Sequence, residues 1–210
     1  ARFRLQALAG GVHALYGRGG NVGFLVGPDA VLVVDSQFKD MAPGIVEQIK
    51  GVTDKPIKYL VNTHHHGDHV GGNDTFRPIA VIIAHDNVRQ RLRFPPPGPD
   101  GKPGAPAVPE ALPVITFSGP TRLHQNGQDV FLLPVPPGHT DGDVMIAFPG
   151  LDVLVVGDFY RTVGYPVADL TRGGSLRGIV DSLGMAISHA GPKTRIVPGH
   201  GPVSDRAAMI

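Results

Sequence analysis

The segment "VNTHHHGDHVGG", residues 61 to 72, places four histidines and an aspartate within six positions. Imidazoles and carboxylates are the side chains that hold divalent transition metals. In an extended segment His64 and His66 stand two apart and project to the same side. Gly67 permits a sharp reversal, after which Asp68 and His69 turn back toward a neighbouring point. One stretch can therefore supply two ligands to each of two adjacent metals. His65 faces the other way and is left out of the ligand set.

Each metal needs ligands from elsewhere in the chain. Three polar residues stand beside glycine at the ends of apolar strands: His139 in "VPPGHTDGD", Asp158 in "VLVVGDFY" and His200 in "IVPGHG". Ends of buried strands are where α/β folds gather their sites.

The elements that must bring these residues together are legible as periodicity. "FRLQALAGGVHALYG" and "GGNVGFLVGPDAVLVVD" read as a strand meander broken by glycine and Pro-Asp turns. "MAPGIVEQIKGV" sets Ile45, Val46 and Ile49 on one helical face, with Pro43 near its start and Gly51 at its end. "PIKYLVN" is a buried strand that runs straight into the histidine cluster. "IAVIIA" is a second such strand, and "HDNVRQRLRF" a short helix after it. Residues 95 to 113 carry eight prolines and predict an extended surface loop, either a plain connector or a cover for a substrate cleft. Beyond it, "PVITFS", "TRLHQ", "DVFLLPV", "VMIAFPG" and "DVLVVGD" predict strands, "SLRGIVDSLGMAISHA" an amphipathic helix and "TRIVPG" a last strand. That order suits two β-sheets packed face to face with helices outside.

Composition narrows the function classes. The 210 residues are 41% hydrophobic and 18% charged, with a formal net charge of +1 and no block of like charge. This predicts neither a nucleic-acid nor a membrane partner and leaves a small-molecule substrate. No apolar run approaches a membrane span. Cysteine is absent, which excludes disulfides, thiolate nucleophiles and sulfur-rich zinc sites. The length fits one domain over residues 1–210. A start at Ala1 without methionine is compatible with a removed signal peptide, so a periplasmic or secreted location is expected, with the cytoplasm as the alternative.

The ordered blocks H-x-H-x-D-H, G-H-T, G-D and P-G-H-G resemble the metallo-β-lactamase-fold metallohydrolases, over about residues 12 to 203. The resemblance implies a four-layer αββα sandwich with the site at one edge. It implies that His64, His66 and His139 hold a first metal, that Asp68, His69 and His200 hold a second, and that Asp158 bridges them. The ligand chemistry suits two Zn²⁺ per chain and also accepts iron or manganese. The expected reaction is attack by a metal-bridging hydroxide on the carbonyl of a small ester, lactone, thioester or amide. Asp68 is the expected catalytic residue, orienting the nucleophile and relaying its proton.

Aspartate at position 158 stands where the best-known β-lactamases of this fold have cysteine. In this the chain looks like glyoxalase II and the lactonases, so only weak β-lactamase activity is expected. The alternative on the same fold is a persulfide dioxygenase, with one iron on His64, His139 and Asp158.

Several residues carry two readings. Arg161 grips a substrate carboxylate, as basic residues do there in related lactamases, or is a solvated surface arginine. Tyr160 and Tyr165 line the cleft or pack half-buried. Asp35 and Thr140 support a ligating imidazole or serve turns, as Asp143 does. His85 reads as a helix-terminal polar residue, and His13, His124 and His189 as surface or satisfied core residues.

Overall fold

The computed structural model describes residues 3–97 and 101–210; residues 98–100, inside the proline-rich segment, lie outside the described set. The first sheet takes its strands in chain order: β1 (Arg4–Ala7), β2 (Val12–Tyr16), β3 (Val22–Val26), β4 (Val31–Val34), β5 (Ile57–Val61), β6 (Val81–His85) and β7 (Ile115–Phe117). The meander β1 to β4 is antiparallel, and β4 to β7 run parallel. Parallel neighbours need crossovers. Helix α1 (Ala42–Lys50) supplies the first, and the short α2 (Gly67–Val70) and α3 (Asn73–Phe76) lie in the second. Helix α4 (Asp86–Arg93) follows β6.

The second sheet comprises β8 (Thr121–Gln125), β9 (Gln128–Pro134), β10 (Val144–Phe148), β11 (Val153–Arg161), β12 (Arg195–His200) and β13 (Ser204–Asp205), ordered β13-β12-β11-β10-β9-β8. Only β11 and β12 pair in parallel among its described strands, with α5 (Leu176–His189) lying between them in sequence. A final short helix, α6 (Arg206–Met209), follows β13.

Strand parity explains the layering. Leu32 and Val34 of β4 join the core between the sheets, whereas Val31 and Val33 pack with Ile45 and Ile49 of α1. Likewise Val153 and Val155 of β11 face the first sheet, while Leu154 and Val156 face Ala186 of α5. Both strands are apolar on both faces because each separates two cores. Three cores stacked in this way give the four-layer αββα sandwich. Leu132, fully buried in the middle core, is placed so that Leu132→Ala would cost about 2–5 kcal/mol. The predicted segments match these elements. The proline-rich segment is irregular where described, apart from a 3-10 turn at Pro109–Ala111.

Candidate metal centre

The cluster assembles where chain segments leave the sheets at one edge. His64 and His66 follow β5, and Asp68 and His69 lie in α2. His139 sits in the β9–β10 connection and His200 ends β12. Asp158 lies within β11 rather than at its end. Parity from Val153 would send it to the α5 side with Leu154 and Val156. Gly157 prevents this: its φ is +62° and the register with β12 shifts between Val155 and Gly157. Such a bulge re-aims the next side chain, and Asp158 joins the histidines.

Three groups of side chains converge closely enough to share an ion: His64, His66 and His139; His64, His69 and Asp158; and Asp68, His69 and His200. His66 Nδ1 lies 2.8 Å from His139 Nε2. His200 Nε2 lies 3.2 Å from an oxygen of Asp68 and 3.2 Å from one of Asp158. His69 Nε2 lies 3.0 Å from Asp158 and 3.4 Å from His200 Nε2. A tetrahedral zinc with bonds of about 2.0–2.1 Å separates its ligand atoms by about 3.3 Å, so these spacings fit a metal.

The outer nitrogens of four of the imidazoles are tied to oxygens. Asp35 accepts from His69 Nδ1 at 2.7 Å, and Asp169 from His66 Nε2 at 2.9 Å. The Val167 carbonyl accepts from His139 Nδ1 at 2.5 Å. Thr63 donates its hydroxyl hydrogen to Asp35, so its oxygen is an acceptor for His64 Nδ1 at 3.1 Å. An outer N–H held by an oxygen fixes the tautomer whose inner nitrogen carries a lone pair. Lone pairs of His66 and His139 then face each other, and buried His64 Nε2 has no hydrogen-bond partner among the described residues. Opposed lone pairs call for a cation between them, so the donor set fits a bound metal.

The family description "Metallo-beta-lactamase superfamily" matches residues 15–203. The chain belongs to the metallo-beta-lactamase superfamily. It is similar to Metallo-beta-lactamase domain-containing protein 1 of Xenopus laevis, 25% identical over 90% of this chain and 73% of that protein. It is also similar to the uncharacterized protein YobT of Bacillus subtilis (strain 168), 27% identical over 64% of this chain. That match spans 59% of YobT's own length. Among solved structures, a metallo-beta-lactamase from Pontibacter korlensis superposes with a TM-score of 0.79 at 19% identity, covering 99% of this chain and 95% of that one. The DIM-1 metallo-beta-lactamase gives 0.74 at 21% identity, covering 100% and 94%. At these identities the superpositions establish the fold. Family membership makes the chain a metal-dependent hydrolase-type enzyme.

Electrostatics divide the site into two halves. Burial, reinforced by neighbouring His69, pushes His64 well below the usual histidine range, and burial also lowers His139. Those imidazoles are neutral, as ligands must be. Hydrogen bonds to Asp158 and Asp68 raise His200 to about 9. At His69 burial opposes the charge, but Asp35 and Asp158 outweigh it and raise the group well above its usual value. Burial likewise opposes charge on Asp158, yet His69 and His200 hold it far below the carboxylate range. The half around Asp158 therefore favours protonated imidazoles at His69 and His200.

Asp35 sits at the end of β4 with φ +67°, a left-handed conformation uncommon for a residue other than glycine. Its carboxylate takes the backbone N–H of Thr63 at 2.8 Å as well as His69, which ties β4 to the cluster. Thr140 does not reach an imidazole. Its hydroxyl and N–H donate to Asp143 at 2.6 and 3.0 Å, and Asp143 also takes the N–H of His139. Thr140 and Asp143 thus form a buried turn that carries His139. Burial raises Asp143 to about 7.

Arg161 ends β11 in register with His200, and its Nε is buried without a hydrogen-bond partner among the described residues. Tyr160 is buried away from the cleft, with its hydroxyl against Ser204. Tyr165, expected to line the cleft or pack half-buried, is 92% exposed. With Val167 and Leu170, both exposed, it belongs to the irregular segment whose Val167 carbonyl and Asp169 hold two imidazoles. His85 caps α4 by accepting from Asn87 N–H. His13 is stacked on Phe24, and His124 and His189 pair locally with Asp129 and the Met185 carbonyl. Asp169, Val167 and Thr63 had no motif to announce them.

Proposed function

We propose that the chain is a dinuclear zinc hydrolase acting on a small ester, lactone, thioester or amide. His64, His66 and His139 would hold one ion, Asp68, His69 and His200 the other, and Asp158 would serve both. The observation that carries this reading is the inward pair His66 Nδ1 and His139 Nε2, with both outer nitrogens occupied by acceptors. When bound, two divalent cations supply Lewis acidity toward a carbonyl and bring the pKa of water down to roughly 7.

The protein's own groups do the positioning. Asp35, Asp169, Thr63 and the Val167 carbonyl keep the imidazoles in place, so little reorganisation is needed during reaction. Asp68 is held ionised because its bond from His200 outweighs its partial burial. Its second role is to accept and pass on the proton released as water adds to the substrate. Arg161, in register with His200, would meet an anionic part of the substrate at that side. The exposed Tyr165, Val167 and Leu170 offer an apolar rim to the remainder.

The one-iron alternative uses only His64, His139 and Asp158. It leaves the convergence of Asp68, His69 and His200 without purpose, and the dinuclear reading is preferred on that ground. The test is metal analysis with an activity panel of lactones, thioesters, phosphoesters and β-lactams. About two zincs per chain, and hydrolysis that is lost on chelation and restored by zinc, supports the proposal. One iron with oxygen uptake on thiol persulfides, or hydrolysis surviving complete stripping, contradicts it.

A further inference from the structure

The segment that feeds the metal cluster has a second face. His65 projects away from the ligands and is only 8% exposed, yet neither ring nitrogen has a hydrogen-bond partner among the described residues. Buried polar atoms are rarely left unpaired, because their desolvation is not recovered. The His65 ring borders an open space. A cavity of about 200 Å³ is lined by His65, Arg91, Leu92, Pro95 and Arg172, with His66 on its metal side.

The two arginines are positioned by carboxylates rather than used up by them. Asp141 takes Nε and Nη2 of Arg91 at 3.3 and 2.6 Å. Asp169, the residue that orients His66, takes Nη1 of Arg172 at 2.9 Å. Nη1 of Arg91 and both Nε and Nη2 of Arg172 make no hydrogen bond among the described residues. Guanidinium N–H groups fixed in this way match the two oxygens of a carboxylate, and an imidazole N–H adds a third donor. Leu92 and Pro95 provide apolar wall for a short hydrocarbon stem.

We propose that this cavity binds a carboxylate carried on a short aliphatic tether, held by His65, Arg91 and Arg172. Because His66 borders both compartments, the tether would lead to the metals, and the carboxylate would be one end of the substrate. That last step rests on the hydrolase reading; occupancy of the cavity does not.

Glutarate is the probe, titrated into the full chain both zinc-loaded and chelated while the ring nitrogens of His65 are followed by NMR. His65→Asn assigns the signals. Saturable shifts of the His65 resonances are expected in both states, with glutaramide binding about tenfold or more weaker because it lacks the charge-assisted bonds. Arg172→Gln and the cavity-filling Leu92→Trp should each weaken glutarate to a similar degree. Unmoved His65 resonances, equal binding of glutaramide, or unchanged affinity in both variants would overturn the proposal. A kinetic arm separates the two readings. Mono-4-nitrophenyl glutarate should show a lower KM than 4-nitrophenyl valerate, and Arg172→Gln should remove the difference. If neither ester is hydrolysed by the zinc-loaded enzyme, the hydrolase reading is in error and the glutarate titration alone decides the cavity.

Discussion

His66 Nδ1 and His139 Nε2 meet at 2.8 Å although they come from the β5–α2 segment and the β9–β10 connection, in different sheets. Each is turned inward by an acceptor behind it, Asp169 for His66 and the Val167 carbonyl for His139. On the proposed reading, a cation between them would join the two sheets at the site. Zinc at a hundredfold excess over its dissociation constant should therefore stabilise the fold by about 2.7 kcal/mol per site. Thermal melts with and without zinc measure this. His139→Ala should forfeit one site's share, and an equal zinc response in that variant would contradict the assignment.

Asp35 carries both a charge and an unusual backbone. Asparagine tolerates the left-handed conformation well, so Asp35→Asn retains the backbone while removing the carboxylate that His69 and Thr63 share. Zinc affinity at the second site is expected to fall about 10–100-fold, with a near-native circular dichroism spectrum. Calorimetric zinc titration provides the reading, and unchanged affinity would show that the bond from His69 to Asp35 does not matter to the ligand.

Gly20 lies against His69. A Cβ there would stand 2.1 Å from His69 Cε1 and 2.3 Å from Nε2, inside the ring's own volume. Because Asp35 pins the far side of that ring, the imidazole has little freedom to yield. Gly20→Ala is predicted to reduce bound zinc from about two per chain to about one. Two tightly bound ions by mass spectrometry under native conditions would refute this steric account.

Protonation should separate the metal-free and metal-loaded proteins above neutral pH. His200 has its pKa raised from 6.5 to about 9 by Asp158 and Asp68. A raised folded-state value means stability that is complete below 6.5 and is lost as the pH climbs through 9. The chelated protein should therefore lose melting temperature between pH 7 and 9, whereas the zinc-loaded protein should not. Zinc uptake must also displace that proton, so affinity at the second site should rise across the same interval. Parallel melting curves for the two forms would exclude this linkage.

The sequence exposed the proposed ligands more readily than their supports. His64, His66, Asp68 and His69 were visible because one short strand-to-helix passage crowds them, and His139 and His200 because each sits beside glycine next to a buried strand. The order of strands and helices likewise revealed the layers, and Val31–Val34 and Val153–Val156 prove buried on both faces. Position 158 was legible as a residue type but not as geometry, because the bulge at Gly157 depends on pairing with β12. Asp169 and the Val167 carbonyl were hidden for a different reason. They lie in an irregular segment about a hundred residues from His66, where no periodicity constrains a reading. Thr140 stayed open between contact with the ring and a turn because adjacency to His139 does not fix where its hydroxyl points; it turns back to Asp143. His65 was set aside as a non-ligand, and only the cavity behind it gives its burial a purpose.

The most direct measurement is anomalous diffraction at the zinc edge from crystals of the zinc-loaded chain. Two peaks are expected, one enclosed by His64, His66 and His139 and one by Asp68, His69 and His200, with Asp158 between them, about 3.5–4 Å apart. A single peak, or metal bound anywhere other than between these side chains, would contradict the account.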